Sequence, residues 1–293
     1  MLSLLIPIYN ESVVELVRNL QHQCESLKIV YEIICIDDCS SNDVKEHNKK
    51  GLSSLNVDYQ ALKKNIGRSS IRNRLITKAH YEYLLFIDSD HKIISSEYIS
   101  NYLRNSSDST WTFLCGGTAY AIDQPNSDKM LHWEYGKKRE AIPAKKRTLH
   151  SANHVHTNNL LIRKSHLDNI RLDESIIGYG YEDLVFGQQI KNAGKTILHI
   201  DNPLLHLGLK TNENFLLDLK QASSNLAFLY TQSKVSDLRI IQITERLKTI
   251  YLLFPIKVLL TYLEPVTVYL LKRHPKQLFL ADLLKLLYFA QMI

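Results

Sequence analysis

Three groups of residues in this 293-residue chain have types and spacings suited to chemistry. The first is Asp88-Ser89-Asp90, directly behind the apolar run Leu84-Leu85-Phe86-Ile87. Two carboxylates two residues apart at the end of a buried strand can share a divalent cation and a nucleotide ribose. Hard cations such as Mg2+ or Mn2+ take oxygen ligands and bridge diphosphate oxygens well. An Asp-x-Asp alone is commonly a solvated turn, and it is the strand before it that favours chemistry here. The second group is Gly178-Tyr179-Gly180-Tyr181-Glu182-Asp183. Its glycines let backbone approach a ligand, and two adjacent carboxylates open a helix. One of them can accept a proton from an attacking hydroxyl. The plainer reading is an acidic helix start that complements the helix dipole. The third is His206, in Asn202-Pro203-Leu204-Leu205-His206-Leu207. On spacing alone His206, like His199, reads as a satisfied core histidine.

The elements that must position these groups follow from periodicity. Apolar runs at Leu2–Ile8, 31–36, 57–62 and Tyr83–Ile87 read as strands, and 12–27 and 67–80 have helical spacing. The alternation predicts an α/β fold, a mostly parallel central sheet with helices on both faces. In such sheets ligands gather at the carboxyl ends of strands, where Asp37-Asp38 and Asp88-Ser89-Asp90 both fall. Residues 111–162 are less regular, with strand candidates at 111–115 and 159–162. After about residue 212 glycine disappears and Leu-rich helical patterns take over. The run 250–271 carries only Lys257 and Glu264 as charges, and Pro255 and Pro265 are expected to interrupt it. We expect a domain over 1–212 and a C-terminal helical appendage over 213–293, for a membrane surface or for oligomerisation.

Composition narrows the classes. With 45% apolar and 23% charged residues the chain is globular rather than disordered. A net charge of +6 suits anionic partners, and is equally ordinary scatter. The basic residues Lys137, Lys138, Arg139, Lys145, Lys146 and Arg147 read as a solvated face in preference to a phosphate clamp. Cys24, Cys35, Cys39 and Cys115 form no C-x-x-C pair, which suits a reducing cytoplasm. The first residues lack a basic segment ahead of the apolar run, so no signal peptide is expected. No stretch of 18 uncharged apolar residues exists, so no clean membrane span is expected.

Taken together, the motifs resemble the GT-A glycosyltransferases, specifically family 2 and its galactosyltransferase-like branch of bacterial type. The resemblance starts with Leu5-Ile6-Pro7-Ile8-Tyr9-Asn10-Glu11 and continues with Ile34-Cys35-Ile36-Asp37-Asp38-Cys39-Ser40-Ser41. Asn65-Ile66-Gly67-Arg68 with Arg72-Asn73, Asp88-Ser89-Asp90, the Gly178–Asp183 hexapeptide and His206 follow in the family's order, over residues 1 to about 210.

The resemblance implies the GT-A fold and a set of roles. Pro7, Tyr9 and Glu11 would border base and ribose, Asp38 would hold the base, and Arg68 would lie near base or diphosphate. Asp88 would contact ribose or metal. Asp90 would be the main ligand of a Mn2+ or Mg2+ ion, with His206 as a second. Asp183 would be the catalytic base, and Glu182 would bind acceptor or donor sugar. Asn158, Asn159 and Gly180 would line the sugar pocket. Related enzymes often carry Trp where Tyr179 stands, and the sequence leaves open whether His91 points into the site.

The implied reaction is transfer of a sugar from a nucleotide-diphosphate sugar, a UDP-sugar, to a hydroxyl of a glycan or lipid-linked glycan. It is metal-dependent, and inverting by the family's usual stereochemistry. The implied setting is the cytoplasm or the inner face of the membrane, with a homo-oligomer as a further partner and no nucleic acid. Two rival readings differ at named residues. A nucleotidyltransferase would carry a Gly-rich basic loop after the first strand, and Pro7-Ile8-Tyr9-Asn10-Glu11 is not one. A non-catalytic membrane- or anion-binding protein would not need Asp88, Asp90, Glu182, Asp183 and His206 together.

Overall fold

A computed structural model of the chain describes residues 1–106, 111–236 and 238–293. They divide into two compact units. The first holds Met1–Ala121, Glu140–Ser175 and Glu182–Gly208; the second holds Ile122–Arg139, Ile176–Tyr181 and Leu209–Ile293.

In the first unit the expected strands form as β1 (Leu2–Ile8), β2 (Tyr31–Asp37), β3 (Asp58–Ala61) and β4 (Tyr83–Ile87). They are joined by β5 (His91–Ile93), β6 (Phe113–Cys115), β7 (Thr118–Ala119), β8 (Asn159–Arg163), β9 (Ile197–His199) and β10 (Leu204–His206). Among the described residues seven strands make one sheet in the order β3-β2-β1-β4-β8-β6-β9. Only β8 runs against the others, pairing antiparallel with both β4 and β6. A small second sheet has the order β5-β10-β7. All seven residues of β1 are buried, as a parallel strand covered on both faces requires.

The two faces are read off the alternation of side chains. Leu4, Ile6, Ile33, Cys35, Leu85 and Ile87 join one apolar cluster with Val17 and Leu20 of helix α1 (Val14–Ser26). Leu5, Ile34, Ile36, Leu84 and Phe86 join the other. There they meet Ile71 and Leu75 of a helix at Arg68–Lys78, and Phe186 and Ile190 of a helix at Glu182–Asn192. The α/β expectation with helices on both faces is what forms.

One basic residue departs from the solvated face. Arg147 is 2% exposed and donates to the carbonyls of Cys115, Gly116, Ile142 and Ile200, and to Nδ1 of His199. The carbonyls of Cys115 and Gly116 also accept the amides of Ile200 and Asn202, and the five-donor guanidinium fills the acceptor capacity that these carbonyls and those of Ile142 and Ile200 have left. His199 accepts from Arg147 at Nδ1 and pairs with Ser151 O at Nε2, so it is the satisfied core histidine expected. Burial pushes its pKa down to about 4.

The second unit is helical. Its helices include Met130–Arg139, Asn212–Thr231, Arg239–Thr249, Leu253–Arg273 and Phe279–Met292. Their core contains Leu131, Phe215, Leu219, Leu271, Leu284 and Tyr288. The prolines do not interrupt the run at 250–271. Pro255 falls in the first turn of Leu253–Arg273, where its missing N–H has no intrahelical acceptor to lose, and the helix continues through Pro265. The result is a 21-residue helix whose most apolar 18-residue window has mean hydropathy 1.4, enough by length and composition alone to cross a membrane. Lys257 and Glu264 still divide the run, so no 18-residue stretch of it is free of charge.

Candidate active site

The site begins where β1 and β2 end. Asn10 and Cys39, just beyond them, both adopt left-handed backbone with φ of 55° and 66°. The two turns are tied together. Ser40 Oγ accepts from the Asn10 amide at 2.7 Å, and Asn10 Oδ1 accepts from the Ser41 amide at 2.9 Å. Asp38 accepts from the amides of Ile66 at 2.7 Å and Gly67 at 3.0 Å, so it shapes the loop that leads into Arg68. Burial nonetheless pushes its carboxyl up, and those amide bonds oppose it. Pro7 is buried within β1, and Tyr9 is 56% exposed.

At the end of β4 the carboxylates meet cations. Arg72 Nη2 lies 2.5 Å from Asp88 Oδ1, and Arg68 Nη2 lies 3.8 Å from Asp88 Oδ2. Arg68 Nε also reaches Glu182 Oε1 at 2.9 Å. Arg68 therefore bridges the strand-end motif and the acidic helix start, which are about 94 residues apart in sequence.

Asp90 stands in a cluster of metal-ligand type. His91 Nδ1 donates to Asp90 Oδ1 at 2.7 Å, and His206 Nε2 stands 3.3 Å from Asp90 Oδ2. The ligand atoms of Asp90, His91 and His206 lie within 4.8 Å of one another. Oxygen and imidazole nitrogen in that compass fit a divalent transition ion such as Mn2+. β5 and β10 bring this about by pairing His206 directly with His91. Burial alone would raise the Asp90 carboxyl. The bonds from His206 and His91 outweigh it and hold the group well below the ordinary carboxylate range. Likewise burial would lower His206, and Asp90 raises it. Burial, then the charge of Asp90, pushes Glu11 up. A Cβ on Gly208 would stand 2.5 Å from Asp90 Oδ2, so that position needs glycine.

His91 does point inward. It is buried, and its Nε2 accepts from Asn158 Nδ2 at 3.3 Å. Asn158 Nδ2 also donates to Thr118 Oγ1 at 3.0 Å, while its Oδ1 is buried without a protein partner. Asn159 differs. Its Oδ1 accepts from Tyr98 and Tyr102, and its Nδ2 donates to Gly117 O and Asn202 O. Every polar atom of that amide is occupied inside the protein, whereas Asn158 keeps one buried oxygen open.

Asp183 has two partners that the sequence did not suggest. Thr157 Oγ1 donates to Asp183 Oδ1 at 2.7 Å, and His156 Nδ1 lies 3.7 Å from Oδ2. Burial would raise the Asp183 carboxyl, and His156, Arg72 and Thr157 together bring it down. Loss of water would lower His156, and Asp183 raises it. His156, Thr157 and Asn158 precede β8, the reversed strand. Its start therefore lies beside the end of β4, with Asn159 opposite Ile87. A search of carboxyl strand ends passes over them. Tyr120 bonds Glu140 and sets its ring 5.2 Å from that of His206, another arrangement without a local signal.

Gly180 belongs to the second unit. Its φ is +101°, and a Cβ there would meet Ala222 Cβ at 2.6 Å, so close backbone approach is what the glycine permits.

Comparison with known proteins gives the family and the fold. A family model described as glycosyl transferase family 2 matches residues 3–171. Poly(ribitol-phosphate) beta-N-acetylglucosaminyltransferase TarS of Staphylococcus aureus is 32% identical over 94 residues, 31% of this chain and 16% of that protein. The putative glycosyltransferase EpsH of Bacillus subtilis is 25% identical over 224 residues, 71% of this chain and 63% of that protein. The chain thus spans less than two thirds of either relative. In solved structures the fold recurs in S. aureus TarS 1-349 in complex with UDP-GlcNAc. The TM-score is 0.53 at 16% identity, covering 99% of this chain and 90% of that one. It recurs also in a mannosyltransferase from Pyrobaculum calidifontis in complex with GDP-Man and Mn2+. There the TM-score is 0.53 at 11% identity, covering 79% of this chain and 63% of that one. With the family match spanning more than half of its residues, this GT-A-fold chain belongs to glycosyl transferase family 2.

Proposed function

We propose that the protein moves a sugar from a UDP-sugar to a hydroxyl of a growing glycan or lipid-linked glycan, with inversion and with a divalent cation bound. The observation that carries this is the pair of ionic groups Glu182–Arg68–Asp88 and Asp90–His206, which share the Asp88-Ser89-Asp90 strand end, with Asp183 beside Glu182. Asp90 and His206 would hold the cation, which when bound supplies positive charge to the departing diphosphate. Arg68 would leave its acidic partners for a phosphate, and Asp88 would face the ribose. Pro7, Tyr9, Glu11 and Asp38 would border the nucleoside. Asn158, with its buried unpartnered oxygen, would accept from a sugar hydroxyl, and Glu182 would contact the sugar. Asp183 would take the acceptor proton at Oδ2, the oxygen that Thr157 does not hold. Support for a UDP-sugar comes from TarS, whose structure holds UDP-GlcNAc; a GDP-sugar is the second reading, from the mannosyltransferase. We take the setting as cytoplasmic, with 213–293 serving a membrane surface or an oligomer.

A thermal-stabilisation screen of nucleotide sugars with and without Mn2+ tests the donor. A donor at 100 times its Kd should stabilise the fold by about 2.7 kcal/mol. Stabilisation by a UDP-sugar that needs Mn2+ is the expected result. If no nucleotide sugar shifts the melting temperature with either Mn2+ or Mg2+, the donor reading fails.

His91 should act by orienting Asp90. Partners that hold a metal ligand are typically worth 10- to 100-fold in metal affinity, so His91→Ala should raise the Mn2+ concentration needed for nucleotide binding by about that factor. His91→Asn, which keeps a donor, should recover part of it. A Mn2+ titration that superimposes on the parent protein's would reduce His91 to a packing role.

A further inference from the structure

The helix Leu253–Arg273 is inside out. Phe254, Val258, Tyr262, Val266 and Tyr269 recur at helical spacing, and they are 76%, 40%, 79%, 52% and 57% exposed. At about 100° per residue they share one side. The two charges of this run lie on the other side, against Phe279–Met292. Lys257 Nζ donates to Gln291 O at 3.4 Å, and Tyr288 donates to Glu264 Oε1 at 3.0 Å. An ordinary surface helix presents charges to water and buries its apolar stripe. An exposed apolar face of this extent marks an interaction surface.

What covers it is indicated by charge. Residues 239–293 carry eight Lys and Arg against three Asp and Glu, so most of the chain's excess of +6 lies here. Arg246 is exposed near one end of the helix, and Arg273 and Lys276 near the other. A second copy would bring the same positive charge to the face, whereas anionic phospholipid attracts each such residue. Tyrosines with an apolar ring and a polar tip suit the headgroup boundary. Because the opposite side packs on Phe279–Met292, lipid cannot surround the helix, and it must lie in the plane of the interface rather than span it.

We propose that this face of Leu253–Arg273 seats the chain on an anionic phospholipid bilayer. This deepens the reading of 213–293 given above and is independent of the donor site. The test is flotation of the full chain with vesicles of phosphatidylcholine alone and of phosphatidylcholine with phosphatidylglycerol. Flotation should occur with the anionic vesicles and weaken at high salt. Tyr262→Asp with Val266→Asp, and separately Arg273→Glu with Lys276→Glu, should each reduce it about tenfold or more. All four positions are exposed, so nucleotide-induced stabilisation should survive in both variants. Equal flotation on neutral vesicles, or none on either, overturns the proposal. So does a dimer in light scattering that Tyr262→Asp with Val266→Asp disperses, because a second copy then covers the face. Loss of nucleotide stabilisation in the parent protein with flotation intact would fell the donor reading alone.

Discussion

Asp183→Asn is expected to lower kcat by about 100- to 10,000-fold, the usual contribution of a positioned general base. That range corresponds to about 2.7 to 5.5 kcal/mol of barrier. The amide keeps the size of the side chain, and its oxygen can still accept from Thr157 Oγ1, now 2.7 Å away. It cannot take a proton. Donor affinity should change little, because a base acts mainly in the transition state. Glu182→Gln should differ, weakening donor binding as well as rate, since Glu182 holds Arg68 Nε at 2.9 Å. The pH dependence has a definite sign. With its carboxyl held below the ordinary value, Asp183 stays ionised through neutral pH. The stability it contributes is complete above the ordinary carboxylate pKa and is lost as pH falls through the lowered one. Turnover by Asp183→Asn within a few-fold of the parent, in steady-state assays with the donor found by the screen, would remove this residue from the mechanism.

Asp90→Ala should abolish Mn2+-dependent nucleotide binding, a loss of at least about 100-fold and larger than that from His91, because an ion-facing carboxylate goes rather than the group behind it. The variant also strands His91 and His206, which Asp90 holds at 2.7 Å and 3.3 Å. Asp90→Asn, which can still bond His91, separates loss of metal from loss of fold. Isothermal titration of nucleotide with and without Mn2+ reads both. Unchanged affinity and unchanged metal dependence in either folded variant would place the cation elsewhere.

Most of the first unit was legible because its strands are short apolar runs ended by acidic or turn-forming residues. Buried parallel strands cannot be made otherwise, so Leu2–Ile8 and Tyr83–Ile87 declared themselves. Asp90 and Asp183 were legible for a related reason, since one follows a strand and the other opens a helix. Spacing alone left His206 a core residue; the order of the family's motifs raised it to a candidate, and only the pairing of β5 with β10 set it beside His91 and Asp90.

Other features needed the folded chain. That β8 runs against its neighbours has no mark in its own five residues, and this reversal is what brings His156, Thr157 and Asn158 to the end of β4. Which polar atoms of an amide stay open depends on its neighbours, and that distinguishes Asn158 from Asn159. A cluster of basic residues can be a solvated face or a source of buried donors; Arg147 is the latter because four carbonyls with acceptor capacity to spare surround it. The sequence by itself determined the strands, the helices and the local chemistry of each motif, because periodicity and residue type act over a few positions. The tertiary structure decided which motifs share an edge, which polar atoms remain open, and which side of the helix Leu253–Arg273 faces out, because those depend on contacts between residues far apart in the chain.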